Sequence, residues 1–356
     1  MEIKTTTVPS DQLKPKPKDS ELAFGNIFTD HMFMLDYHAG QGWHDPRVVP
    51  YGPLVLDPAT AVLHYAQEIF EGLKCYRRTD GGLQLFRVRD NFRRMNESAR
   101  RMCIPELDID LVVEGLKTLL RVERDWVPGT QGTSLYIRPT IIATEAFLGV
   151  RPAAQYLYYV ILGPVGAYYK EGFNPIKILV EEKYVRAVRG GVGSTKTGGN
   201  YAASLYAAEE AHKKGFTQVL WLDAIERKYV EEVGTMNMLF LIDDELVVPP
   251  LGGSILPGIT RYTVLDLVRE WGGYRVSERH IAIDEVMDAA RNGRLKEAFG
   301  AGTAAVISPV GWIVYKGEEV EVAGGKTGPL AQKLYDEITS IQYGTKPDVH
   351  GWIETV

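Results

Sequence analysis

The stretch Arg189-Gly190-Gly191-Val192-Gly193-Ser194-Thr195-Lys196-Thr197-Gly198-Gly199-Asn200-Tyr201 sets one lysine among five glycines. Glycine has no Cβ, so such a run reaches backbone angles closed to other residues and lets a bulky group lie against the main chain. One amine delivered into that space suits a Schiff-base lysine or a lysine that grips phosphate. A flexible surface turn with an exposed lysine is the plain alternative. A nucleotide-phosphate loop fits poorly. Gly190-x4-Thr195-Lys196-Thr197 puts threonine where the GxxxxGK[ST] pattern requires glycine. Gly198-Gly199-Asn200 is also weak material for the first turn of the helix that must follow.

Working outward, 356 residues are enough for two domains with real cores. A formal net charge of -6 with no basic block argues against nucleic acid as a partner. No apolar run approaches the ~20 residues of a membrane helix. Met1 to Glu21 is polar, carries Lys14-Pro15-Lys16-Pro17-Lys18 and lacks the apolar core of a signal peptide. It reads as a loose or partner-contacting arm. The two cysteines, Cys75 and Cys103, sit in no CxxC or Cys/His cluster. Neither a metal site nor a disulfide framework is expected, and a reducing, cytoplasmic setting fits.

Strands are expected at Ile27 to Tyr37, Leu54 to Leu56, Gly82 to Arg87, Ser134 to Ala143 and Gln155 to Leu162. Helices are expected from Asp90 to Arg101, capped by Asp90, and after Asp110, where Val112, Leu116, Leu119 and Leu120 recur at helical spacing. Gly163 to Gly172 is punctuated by Gly and Pro and reads as a domain boundary. The second half alternates strands (Ile176 to Glu181, Val219 to Asp223, Met236 to Leu241, and Glu297 to Ser308 with a sharp turn) with helices. These are Tyr201 to Lys214 closed by Gly215, Thr260 to Trp271, Asp284 to Arg291 and Leu330 to Ser340. The rhythm is not a regular βαβ repeat, so the expected class is α+β. The division expected is an N-terminal α+β domain over 1–165, a linker over 166–175 and a cofactor-binding domain with the Schiff-base lysine over 176–356.

Several segments could supply what a pyridoxal phosphate lysine needs. Glu231-Glu232 precedes an apolar strand and is either a solvated acidic pair or a partner for a protonated pyridine nitrogen. Gly252 to Thr260 runs into a helix, whose first N–H groups and positive dipole end can take an anion, or which is merely a capped turn. Phe299-Gly300-Ala301-Gly302-Thr303-Ala304-Ala305 is a second small-residue turn or a bulged strand. In Ser134-Leu135-Tyr136-Ile137-Arg138-Pro139, strand alternation puts Tyr136 and Arg138 on one face, where they could hold a carboxylate. Arg87, Phe24, Tyr65 and Phe70 by themselves say little, and core packing suits the aromatics.

Taken together, Gly191 to Tyr201, Glu232-Val233-Gly234-Thr235-Met236-Asn237 and Leu256-Pro257-Gly258-Ile259-Thr260-Arg261 resemble the branched-chain amino acid aminotransferases, fold-type IV pyridoxal phosphate enzymes. The likeness extends over nearly the whole chain. Phe24-Gly25 with Phe28 to Met32, Leu63-His64-Tyr65 with Phe70-Glu71-Gly72, Leu85-Phe86-Arg87, Tyr136 to Pro139, Leu148-Gly149-Val150 and Ile341 to Gly344 are similar to the family's segments in order. One departure stands out: Ala305 and Ser308 occupy the places of a CxxC pair in mammalian members, which excludes a thiol switch there and points to a bacterial-type member.

The resemblance implies that Lys196 binds pyridoxal 5′-phosphate and shuttles the proton. Glu232 would pair with the pyridine nitrogen and Tyr201 would bond the ring hydroxyl. Arg87, Thr235, Ile259, Thr260 and Thr303 would complete the cofactor's contacts. Tyr136 with the N–H groups of Thr303 and Ala304 would take the α-carboxylate. Arg138, with Tyr65 from a neighbouring subunit, would accept glutamate's distal carboxylate. Phe24, Phe70, Tyr168 and Met236 would line the apolar pocket, with Leu148 and Val150 from the partner chain. The implied activity is reversible amino transfer between leucine, isoleucine or valine and 2-oxoglutarate, in a homodimer with shared active sites between domains. The rival readings are another fold-type IV enzyme (a D-amino acid aminotransferase or an aminodeoxychorismate lyase), a non-catalytic phosphate-binding protein, and a purely structural oligomer. The chain length, the N-terminal extension and the YxR strand argue against the first pair.

Overall fold

A computed structural model describes residues 1–166 and 173–356. Two compact units emerge. The first takes the N-terminal part of the chain together with Thr195–Gly198 and Ser340–Val356. The second takes Gly199–Thr339 and the preceding segment from the strand Ile176–Val180 to Ser194. Thr195–Gly198 and Ser340–Val356 thus join the N-terminal part although they follow the linker expected over 166–175. Lys196 lies in the first unit because its carbonyl accepts the Phe70 N–H at 3.0 Å and its own N–H donates to the Ser98 hydroxyl at 3.1 Å.

The first unit is built on an antiparallel sheet. Gly42–Pro50 pairs with His31–His38, then come Gln155–Val165, Ser134–Ala143, Leu73–Arg77, Leu83–Phe86 and Ile353–Thr355. Alternation on Ser134–Ala143 sends Leu135, Ile137 and Ile141 into the core, and Tyr136 and Arg138 to the other face, half-buried. Phe92 and Met95 of helix Val88–Arg101, and Leu116, Leu119 and Leu120 of helix Ile109–Val122, cover that core. Each such side chain contributes about 1.5–3 kcal/mol by leaving water. Glu68–Phe70 and Leu73–Arg77 lie along the same edge of Ser134–Ala143 in one register, Phe70 opposite Thr140 and Leu73 opposite Ile137. The break between them falls at Pro139, which has no N–H to give. There the Glu71 N–H still donates to the Pro139 carbonyl, and the buried Glu71 carboxylate takes Arg94 in two bonds of 2.8 Å.

The second unit contains a sheet that closes on itself. Val230–Val233, Gln218–Leu222, Ile176–Val180, Val306–Tyr315, Leu295–Gly302 and Met236–Ile242 pair in that order, and the last returns to the first, a six-strand barrel. Every residue of Met236–Ile242 is buried, which explains the apolar run from Met238 to Ile242 that follows Asn237. Helices Ile259–Trp271 and Ile283–Arg291 present apolar faces, and Val286 and Met287 of the latter join the barrel's core. Buried Glu297 accepts the N–H groups of Leu330 and Ala331, the first turn of helix Pro329–Gln342, where a negative charge suits the helix dipole.

Several sequence expectations change. Leu54 to Leu56 forms no strand. The first long helix starts at Val88 with Arg87, not Asp90, at the cap, because Asp90 turns back to bond Arg87 Nε at 2.6 Å. Asp108, not Asp110, caps the next helix, accepting the N–H groups of Asp110 and Leu111. The helix after Lys196 begins at Gly198 despite the glycines, since the Glu68 carboxylate accepts the Gly198 N–H. Strands Gly42–Pro50 and Leu73–Arg77, unforeseen, complete the first sheet. No helix of the described residues is long and apolar enough to cross a membrane.

The N-terminal arm, expected to be loose, is docked on the first unit. Lys4–Thr5 adds a parallel pairing to Gly42–Pro50, and Asp19 accepts the N–H groups of Gly129 and Thr130. The Val8 N–H donates to His31 Nε2 at 2.8 Å, and the Lys14 N–H donates to Asp30 at 3.0 Å. His31 Nδ1 meets the buried Glu123 carboxylate at 2.5 Å, so the ring is held from both sides. Burial pushes the Glu123 carboxyl up while His31 draws it back. His31→Leu strands Glu123 and removes Val8's acceptor. The expected cost is on the order of 3 kcal/mol, with faster tryptic cleavage after Lys18; a wild-type melting curve and digestion rate would contradict this account of the arm.

Candidate active site

In the first unit, the edge strand Glu68–Phe70 and its neighbour Ser134–Ala143 bring several candidate residues together. The Arg138 guanidinium lies 4.7 Å from the centre of the Phe70 ring and donates to the Tyr136 hydroxyl at 3.0 Å. The Lys196 amine lies 5.1 Å from the same Phe70 ring. Phe24 packs edge-on against Tyr136 at 4.9 Å. Gly72 is required beside this group, since a Cβ there would fall 2.1 Å from the Tyr136 hydroxyl. Lys74, opposite Tyr136 across the sheet, is a buried lysine that sequence reading missed, and burial pulls its amine down to about 8.

Arg87 has a left-handed backbone at φ 50°, donates its N–H to the Trp352 carbonyl and stacks its guanidinium 5.2 Å from the Trp352 ring. Tyr65 stands apart from the core packing expected of it: it is exposed, and its hydroxyl donates to the Leu148 carbonyl. Leu148 and Val150 are also exposed, at 60% and 87%.

In the second unit, one pocket is lined by Arg186, Asn200, Tyr201, Ser204, Glu232, Gly234, Thr235 and Leu256. Tyr201, Glu232 and Thr235 were candidates; Arg186 and Asn200 were not singled out. Glu232 is no solvated surface acid. It is buried, Arg186 reaches it at 2.7 Å and the Asn237 amide donates to it at 2.9 Å. The tight turn Gly234-Thr235, with Gly234 at φ 56°, pairs Glu232 with Asn237. Burial pushes up the neighbouring Glu231 carboxyl, which the Ser254 hydroxyl and the Arg186 charge oppose. Arg186 also donates to the Gly193 and Ser254 carbonyls, tying down the glycine-rich loop.

Ile259 and Thr260 open helix Ile259–Trp271 behind Gly258, so their N–H groups have no acceptor within the helix. Met236 crosses Gly300 and Gly302, approaching to 2.7 Å and 3.0 Å of where their Cβ atoms would be. Thr303 and Ala304 form the turn that follows Leu295–Gly302. Among the described residues no His, Cys, Asp and Glu cluster could hold a metal ion. Tyr168 lies outside the described residues.

The model of the amino-transferase class IV family matches residues 68–313. Branched-chain-amino-acid aminotransferase 2 of Bacillus subtilis is 56% identical, with 96% of this chain and 94% of the relative covered. The chain belongs to the branched-chain amino acid aminotransferases. Solved structures agree with this membership. The Escherichia coli branched-chain amino acid aminotransferase matches with a TM-score of 0.73 at 27% identity, covering 91% of this chain and 98% of that one. The T.th. branched-chain amino acid aminotransferase complexed with N-(5′-phosphopyridoxyl)-L-glutamate matches at 0.71 and 25%, covering 90% and 97%. The fold is that of the fold-type IV enzymes, α+β as expected.

Asn237 stood inside a quoted motif, but nothing in sequence reveals that its side chain faces Glu232. Arg186 is legible only once the loop closes over it. Arg186→Leu leaves Glu232 buried without its cation and frees two loop carbonyls. A loss of about 3–5 kcal/mol is expected, read as an earlier urea or thermal transition; unchanged stability would refute the pairing.

Proposed function

We propose that this branched-chain amino acid aminotransferase exchanges an amino group between L-leucine, L-isoleucine or L-valine and 2-oxoglutarate, with the residues dividing the work as follows. Pyridoxal 5′-phosphate, when bound, supplies a carbonyl for the amino group and an electron sink for the Cα electrons. The residues fit that group. A buried carboxylate at Glu232, held by Arg186 and Asn237, suits a protonated pyridine nitrogen. Tyr201 shares its pocket and supplies a donor for the ring hydroxyl, with Thr235 at the rim. The first-turn N–H groups of Ile259 and Thr260, with Arg87 and Thr303, are of the kind that hold phosphate.

Lys196 holds and moves the proton at Cα. The observation that carries this reading is the shared Phe70 ring, with the Lys196 amine and the Arg138 guanidinium both over it. An amine, an apolar wall and one arginine then meet on one sheet face. Tyr136, with the N–H groups of Thr303 and Ala304, takes the α-carboxylate. Arg138 takes glutamate's distal carboxylate, and Phe24, Phe70 and Met236 serve the aliphatic side chain. The exposure of Tyr65, Leu148 and Val150 supports their service to a neighbouring subunit in a homodimer. The setting proposed is cytoplasmic. One methylene is worth only about 1–3 kcal/mol in such a pocket, so the three branched-chain substrates are separated weakly.

Lys196→Ala is expected to fold with a wild-type circular dichroism spectrum and to show no transamination; turnover at the wild-type rate would sink the assignment. Arg138→Ala is expected to lower kcat/KM for glutamate about 30-fold, near 2 kcal/mol, and that for leucine far less. Equal losses would remove Arg138 from its role.

A further inference from the structure

The glycines around Lys196 carry no side chains that could anchor the loop, so the lysine's position must come from bonds made to it by others. One short strand and one helix of the first unit supply bonds of this kind. The Phe70 N–H donates to the Lys196 carbonyl at 3.0 Å, and the Lys196 N–H donates to the Ser98 hydroxyl at 3.1 Å. Glu68, which the sequence analysis did not single out, holds the next two residues. Its carbonyl accepts the Thr197 hydroxyl at 2.8 Å. Its carboxylate Oε1 accepts the Gly198 N–H and stands 3.4 Å from the Thr197 hydroxyl. Gly198 is built for that approach: a Cβ there would lie 2.5 Å from Glu68 Oε1.

We propose that Glu68 is a positioning residue for Lys196, its carboxylate clamping Thr197 and Gly198 so that the amine starts from a fixed Cα. The inference rests on the reading of Lys196 as the cofactor lysine. Lysine has a flexible four-carbon stem, so a wandering Cα would spread its amine over a wide arc. A charge-assisted bond to a main-chain N–H is about twice as strong as a neutral one, and a desolvated carboxylate strengthens it further. Burial does push the Glu68 carboxyl up, with Gly198 and Thr197 drawing it back. The clamp also fixes register. Glu68–Phe70 pairs with Ser134–Ala143, with Glu68 opposite Ile142 and Phe70 opposite Thr140, so the lysine is tied to the strand that carries Tyr136 and Arg138. A side chain that sets such alignment without touching substrate can change a chemical rate about 10²-fold through ~1 Å of misplacement.

The test uses full-length holoenzyme in four forms: wild type, Glu68→Ala, Glu68→Gln and Thr197→Val. Borohydride reduction and peptide mapping of the wild type first locate the covalent link. A link at another lysine would overturn the functional reading itself and leave the clamp without a purpose. With the link on Lys196, Glu68→Ala is expected to slow the first half-reaction with leucine about 10²-fold by stopped flow. Leucine half-saturation should scarcely change, and the pH midpoint of the visible cofactor band should move. Glu68→Gln keeps an acceptor oxygen and should recover most of the rate; Thr197→Val should move both readouts the same way by less. A Glu68→Ala enzyme that melts earlier yet keeps the wild-type rate and pH midpoint would make Glu68 structural only and overturn the proposal. Should that variant fail to fold, Thr197→Val decides alone: an unchanged rate and midpoint overturn it.

Discussion

The first unit depends on one constraint: the glycines around Lys196 have no side chains with which to hold it. The Lys196 main chain is bonded on both sides, by Phe70 through the carbonyl and by Ser98 through the N–H. Because Phe70 sits on a strand paired with Ser134–Ala143, those two bonds place the amine on the same face as Tyr136 and Arg138. That strand is itself steadied by the adjoining Glu71–Arg94 pair, both partners buried and doubly bonded. A buried pair of this kind is weak evidence for net stability but strong evidence for a unique arrangement, since removing either partner is costly.

The second unit meets a different demand. It must provide partners for a carboxylate buried away from water. Closing six strands into a ring buries Met236–Ile242 on both faces and leaves Glu232 at the ring's edge. Arg186 and the Asn237 amide bond the carboxylate, and Arg186 Nη2 also donates to the loop carbonyls of Gly193 and Ser254. Glycines at 258, 300 and 302 permit the close approaches of Asn237 and Met236. Glycine serves here less for unusual angles than for the missing methyl group.

Much was legible from sequence, and for identifiable reasons. Alternation in Ser134–Ala143 and the helical spacing of Val112, Leu116, Leu119 and Leu120 are local patterns, and both elements formed as read. Cap positions slipped because Asp90 and Asp110 turn their carboxylates to arginines, Arg87 and Arg89, and Asp108 accepts the first N–H groups of its helix. Gly42–Pro50 was missed because Asp45 and Pro46 interrupt its pattern, and its pairing with His31–His38 supplies what propensity does not. The basic arm read as loose because its partners, His31 for Val8, Asp30 for Lys14 and the Trp126 ring for Lys16, lie further along the chain and become neighbours only after folding.

The sequence by itself determined the family and the fold class and singled out Lys196 as the candidate lysine, because those are written in short ordered motifs whose chemistry is local. It could not assign Lys196 to a unit, since the 195–198 segment follows its hydrogen bonds rather than its neighbours in the chain. Nor could it show that Glu232 is buried and paired, that Glu68 reaches Gly198, or that Tyr65 turns outward to Leu148. Hydrogen bonds and burial join residues separated by tens to hundreds of positions, and that geometry exists only once the sheets have closed.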